Sequence, residues 1–151
     1  MQLDNILAKY SRNEDRLVEI LLDYQNTINT SYISEKKLID IANYLGIPTS
    51  KVCSVMSFYT LLSSTPRGKY IIQVCHDVSC YVNDEINVLK IVEDKLNIKV
   101  NETTKDKQFT IEYTSCLGCC NESPAMRVHN QTYTLLTKEK IIDALTEWGC
   151  K

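Results

Sequence analysis

Two cysteine groups, each directly behind a run of β-forming residues, constrain this 151-residue chain more than any other feature. Residues Lys69 to Cys75 (KYIIQVC) suit a pleated surface, and they lead into Cys75-His-Asp-Val-Ser-Cys80. Residues 109 to 114 (FTIEYT) read as a second strand, and behind them come Cys116-Leu-Gly-Cys119-Cys120. The 35 residues between the two groups hold an amphipathic pattern over 83 to 96, with Ile86, Leu89 and Val92 on one face. If the two strands lie side by side, both loops leave the same edge of the sheet. Four sulfurs then meet at one place, which neither motif supplies alone.

In a reducing compartment clustered cysteines are more often metal ligands or catalytic groups than disulfides, and seven cysteines cannot all pair within one chain. Thiolates suit iron and zinc, and a [2Fe–2S] cluster takes four of them. One pair of ligands from each loop, one pair per iron, fits the two ends of a flat rhomb. The spacing differs from the plant-type C-x4-C-x2-C run, so that ferredoxin fold is not implied. A structural zinc site would use the same sulfurs, with Cys116-x2-Cys119 as its knuckle, and redox disulfides or buried thiols are a third reading. Spacing leaves the fourth ligand open between Cys119 and Cys120. A Rieske centre needs two histidines on one iron; His76 and His129 read instead as surface or loop residues. Cys53 falls among apolar helical positions and reads as buried packing, and Cys150 as a bystander.

The first half has a different period. Leu17, Ile20, Leu21, Tyr24 and Ile28 recur at helical spacing behind a capping box of Ser11 and Glu14. A second helix starts at Ser34, carries Leu38, Ile41, Ala42 and Leu45, and stops at Gly46. Thr49 or Ser50 caps a third, with Val52, Val55, Met56 and Tyr59 inward. Ser63 to Gly68 reads as a linker. Beyond the second cysteine group, Met126 to His129 and Thr132 to Leu136 read as a hairpin turning at Asn130-Gln131. Thr137 caps a last helix with Ile141, Ile142, Leu145 and Trp148, closed by Gly149. The expected organisation is a small N-terminal helical bundle over 1–66, then an α/β domain of order β-α-β-β-β-α over 67–151, an α+β chain of thioredoxin type.

Bulk properties narrow the function. A net charge of −2 argues against nucleic acid, which is held by clustered Lys and Arg. No run approaches the ~20 apolar residues of a membrane helix, and the N-terminus lacks the layout of a secretory signal. A cytoplasmic protein with no direct membrane insertion is expected.

Several motifs in register then resemble one family. These are Leu45-Gly46-Ile47-Pro48, Val55 to Tyr59 (VMSFY), Pro66-x-Gly68-Lys69-Tyr70, Val74-Cys75-x4-Cys80, Asn97-Ile98-Lys99, Phe109-Thr110 and Ser115-Cys116-Leu-Gly-x-Cys120 with Pro124-Ala-Met126. In this order the chain resembles the thioredoxin-like [2Fe–2S] subunit of NADH:quinone oxidoreductase (complex I). Relatives of that subunit occur in NAD-reducing and electron-bifurcating hydrogenases and in NAD-dependent formate dehydrogenases. The resemblance implies one [2Fe–2S] cluster on Cys75, Cys80, Cys116 and Cys120, with Cys119 at the family's variable place. It implies one-electron transfer without a catalytic residue of the chain's own. FMN and NAD belong on a partner flavin/NADH-binding subunit, beside a larger iron–sulfur subunit. It also suggests a cis-proline at Pro124. Composition leans toward a soluble, electron-bifurcating hydrogenase as the parent, with complex I the other candidate.

Two competing readings have support in the residues. A redox-sensing regulator would use Ala42, Gly46 and Val52 as a helix-turn-helix, yet its recognition helix over 49–60 offers only Lys51 as a cation. A zinc or thiol module would use the same sulfurs without iron. Asp77, Asp84 and Glu122 lie near the ligand loops, where they would lower a cluster's potential if they faced it.

Overall fold

A computed structural model describes residues 2–28 and 31–150. They divide into two compact units, Met1–Arg67 and Gly68–Lys151.

The first unit is helical: α1 (Gln2–Leu7), α2 (Leu17–Asn26), α3 (Glu35–Leu45) and α4 (Thr49–Phe58). Apolar residues at i, i+3 and i+4 put Leu17, Ile20, Leu21 and Tyr24 of α2 into one core with Leu38, Ile41 and Leu45 of α3. Gly46 ends α3 at φ +69. The chain beyond α4 is pinned by the buried Gln25, whose amide donates to the Leu61 carbonyl (2.7 Å) and accepts from the Ser63 N–H (2.8 Å).

Four details of this unit differ from expectation. Asn13, not Ser11, is the cap. Its side chain accepts from the Asp15 N–H at 3.2 Å and starts a 3-10 turn, Glu14–Arg16, that leads into α2. Asn is as good a cap as Ser and stands one residue before the turn. Pro48 occupies the cap position of α4, so Thr49 is already helical. Cys53 is exposed, not buried, because Val52 and Met56 take the inward stripe of α4 and the next residue is turned about 100° away. The same rotation leaves Phe58 77% exposed, and Tyr59, expected inward, is 41% exposed because α4 ends at Phe58 and the chain turns extended there.

The second unit is built on four strands: β1 (Tyr70–Cys75), β2 (Phe109–Thr114), β3 (Met126–Val128) and β4 (Gln131–Tyr133), in sheet order β2-β1-β3-β4. β1 and β2 are parallel from Tyr70 opposite Phe109 to Cys75 opposite Thr114; β3 runs antiparallel to both β1 and β4. The sheet is therefore mixed. Helices α6 (Val88–Leu96) and α7 (Lys138–Glu147) share its core, where Ile72, Val92, Ile111, Met126, Ile141 and Leu145 have no exposed surface. Gly68 opens β1 because a Cβ there would stand 2.7 Å from the Phe109 carbonyl carbon.

A further helix, α5 (Val78–Val82), replaces the expected loop, and the amphipathic stretch shortens to α6. Asp84 and Asn87 delay α6: their side chains accept from the N–H groups of Val88 (2.8 Å) and Lys90 (3.0 Å), so the helix begins five residues late. Ile86 is left outside it and partly exposed. The hairpin turns at His129-Asn130, and β4 stops at Tyr133 before the left-handed Leu135. Thr137 caps α7 as expected, and Ser123-Pro124 is cis. Among the described residues no helix is long and apolar enough to cross a membrane.

Candidate metal centre

The parallel pairing of β1 and β2 decides where the cysteines go. Cys75 is the last residue of β1 and lies opposite Thr114, the last of β2. Both loops therefore leave the sheet at the same end. The backbone holds this edge further: the Cys75 N–H donates to the Ala125 carbonyl (3.2 Å) and the His76 N–H to the Thr114 carbonyl (3.2 Å).

Cys80 stands in the middle of α5. Asp77 starts that helix, its carboxylate accepting from the Val78 N–H at 2.9 Å. One turn later Cys80 faces inward and packs, buried, with Cys75 and Ala125. Burial pushes the Cys80 thiol up to about 11, and its hydrogen bond with Cys75 adds to that. Both effects disfavour a bare thiolate, which a bound cation would reverse.

Behind β2, the loop folds so that the sulfurs of Cys116 and Cys120 touch at 3.1 Å, both residues exposed. The Gly118 N–H points at the Cys116 sulfur (3.3 Å), and Gly118 takes φ +81. The Cys120 thiol is raised by its hydrogen bond to Cys116, against the opposing hydrogen bond from Ser79 of α5. Cys119 is half-buried, leaning on the Cys75, Cys80 and Ala125 group.

The two loops are joined. Asn83, at the end of α5, donates to the Ser123 hydroxyl (2.7 Å), just before the cis bond. Cys80 feels the charge of Cys120, and Cys120 that of Asp77. The four sequence-nominated thiols are thus brought together as two neighbouring pairs, 75 with 80 and 116 with 120. Among the described residues no three His, Cys, Asp or Glu side chains gather closely enough to hold a metal ion. Paired soft donors, one pair from each loop, fit a two-iron group in their chemistry.

The other candidates fall elsewhere. His76 packs its ring on Tyr113 (4.7 Å) and Tyr81 (5.5 Å), and His129 lies at the hairpin turn near Tyr70 and Trp148. Of the three acids, Asp84 caps α6, Glu122 accepts from the Thr134 hydroxyl (2.7 Å), and Asp77 is felt by Cys120. Sequence reasoning missed α5 and the parts played by Ser79 and Asn83. The signal that could have found them was Asp77, a cap residue ahead of a short apolar run. On α4, Lys51 is engaged by Glu14 at 2.6 Å, which leaves the would-be recognition helix without a free cation.

A family model described as thioredoxin-like [2Fe-2S] ferredoxin matches residues 3–149. The chain belongs to this family. Among curated relatives of this thioredoxin-like ferredoxin, an NADH-quinone oxidoreductase subunit from Rickettsia felis is 32% identical over 147 residues, covering 97% of this chain and 88% of that one. The corresponding Escherichia coli protein is 39% identical over 108 residues, covering 72% and 65%. Among solved structures, an NAD+-reducing [NiFe]-hydrogenase in the H2-reduced state superposes with a TM-score of 0.73 at 20% identity. That match covers 91% of this chain but only 22% of the hydrogenase chain, and it shows the thioredoxin-like fold.

Proposed function

We propose that this chain transfers single electrons through one [2Fe–2S] cluster held by Cys75, Cys80, Cys116 and Cys120, as a subunit of an NAD(H)-linked oxidoreductase. The observation that carries the reading is the meeting of two thiol pairs at the shared end of β1 and β2. When bound, the cluster supplies a centre that gains and loses one electron. Cys75 and Cys80 hold the inner side, where Ala125 and Leu117 keep water away. Cys116 and Cys120 hold the outer side. The Gly118 N–H on the Cys116 sulfur favours negative charge there, while the Asp77 carboxylate opposes it at Cys120; both would contribute to the potential.

Hydride chemistry is assigned to a partner flavin/NADH-binding subunit carrying FMN, and onward transfer to a larger iron–sulfur subunit, in the cytoplasm. Residues 1–66 form a helical bundle and residues 67–151 the cluster domain. The finer assignment is to a soluble, electron-bifurcating hydrogenase or a related complex, from composition. The 32–39% identity to NADH-quinone oxidoreductase proteins favours NADH:quinone oxidoreductase as the second reading. Purifying the native complex and identifying its components separates the two, since only the first contains a hydrogenase large subunit. The function itself is tested with the isolated chain under argon. Dithionite should bleach its visible bands while NADH alone does not, and NADH should become competent on adding the flavin protein. Reduction by NADH without a partner would overturn the division of labour.

A further inference from the structure

Between α6 and α7 runs an open groove of about 560 Å³ that no cysteine lines. Its apolar floor comes from Ile86, Ile91 and Ile142, and Lys90, Lys95 and Lys138 stand along it. These isoleucines lie beside the buried stripes rather than in them. α6 buries Val88 and Val92, and α7 buries Ile141, Ala144 and Leu145, in the core they share with the sheet. Ile91 and Ile142 each stand one residue, about 100°, round from those stripes and stay half-buried, and Ile86 is 38% exposed.

The charge of the groove runs against that of the chain. The chain has 19 acidic and 17 basic residues, yet the lining holds three lysines and the single carboxylate of Asp94. Lys90 and Lys138 form no salt bridge among the described residues. Lys138 is also the first residue of α7, where the helix dipole favours an acid. An apolar strip flanked by cations fits a surface of the opposite pattern. The walls are helical and offer no strand edge, so an occupant must bond its own peptide groups internally, as a helix does. A second copy of this chain does not supply that helix. α2, α3 and α7 carry acids, but their apolar stripes are buried in their own units.

We infer that the α6–α7 groove docks an acidic amphipathic helix of a neighbouring subunit, with apolar residues on the three isoleucines and carboxylates on Lys90 and Lys138. This rests on the subunit reading above. The contact anchors the chain in its assembly and takes no part in holding the metal.

The test compares the native complex with the free full-length chain. Acylation read by mass spectrometry should fall severalfold at Lys90 and Lys138 in the complex. Carbodiimide joins an ammonium to a carboxylate in direct contact. It should link one of these lysines to an Asp or Glu of another subunit, in a segment with apolar residues at helical spacing. Lys90→Glu combined with Lys138→Glu should weaken retention of the chain by roughly tenfold at low salt and by less at high salt. Ile86→Ser, at an exposed position outside the helices, should weaken it at both. Labelling and cross-linking use the unaltered chain and decide the matter even if a variant misfolds. Lysines as reactive in the complex as in the free chain, or carbodiimide links that are absent or reach only a second copy, overturn the inference. So does binding of the free chain to phosphatidylglycerol vesicles that the two lysine substitutions abolish, because the occupant is then an anionic lipid. A chain recovered alone from native extracts overturns the subunit reading itself, whereas a complex with an open groove overturns only the docking site.

Discussion

The two cysteine loops leave the same end of two parallel strands, yet they are built in opposite ways. The first is folded into a capped helix and buries both thiols. The second is an open turn whose two paired thiols face solvent. Parallel pairing supplies the convergence, and local sequence decides which pair is buried. Asp77 followed by Val78 nucleates a helix that turns Cys80 inward, while Gly118 at φ +81 lets the other loop fold back on itself. A site made of one buried half and one exposed half offers a dry floor beneath an outer pair that solvent reaches.

The strongest way to break this contrast is to remove one thiol from each half. Cys80→Ala and Cys116→Ala should both abolish bound iron, but only the first should destabilise the apo-protein, by about 1 kcal/mol for the buried sulfur. Cys116→Ala should leave apo stability within about 0.5 kcal/mol of wild type, as exposed substitutions do. Urea unfolding of the two apo-variants checks the difference, and equal losses would contradict the contrast. Gly118→Ala tests the exposed half: the added methyl has room, so the cost comes from φ alone and should be about 1 kcal/mol in thermal or urea unfolding. Asp77→Ala tests the buried half by uncapping α5. It should cost a little under about 1 kcal/mol and speed iron loss to a chelator, with Asp77→Asn restoring most of the cap.

The smallest effect lies outside both loops. Glu93 is held below its usual range by Lys99 and by the Val100 N–H, so its folded-state value is depressed. Its contribution is present above the unfolded carboxylate value and is lost as pH falls through the lower folded one. Glu93→Gln should therefore flatten the acid side of the stability profile and leave iron content unchanged. An unaltered profile would mean the ion pair contributes nothing.

Much of this architecture was legible in the residues. β1, β2 and the hairpin follow from runs of branched and aromatic residues, Gly46 and Thr137 marked the helix ends they occupy, and the shared edge followed once strands 1 and 2 were taken as neighbours. What escaped was decided by competition between short-range signals. α5 is too short to show a period, and only its Asp77 cap announced it. Asp84 and Asn87 each capture a backbone N–H, which stops the amphipathic run from starting where its apolar residues begin. Cys53 and Tyr59 follow the apolar pattern in sequence, but the ten-residue helix has one buried stripe, which Val52 and Met56 occupy, and Tyr59 lies past its end. At the site, sequence nominated one pair of thiols per loop without its geometry: that Cys80 turns inward beside Cys75 depends on α5, and that Cys116 meets Cys120 depends on the fold of the Gly118 turn, both tertiary facts.

The most direct measurement is iron, acid-labile sulfide and zinc on anaerobically purified protein, with spectra before and after adding one electron. Two irons and two sulfides per chain, to within about ten per cent, with visible bands that bleach and a paramagnetic signal that appears on reduction, are the expected result. Colourless protein holding a single zinc, or iron that survives in both Cys80→Ala and Cys116→Ala, would contradict it.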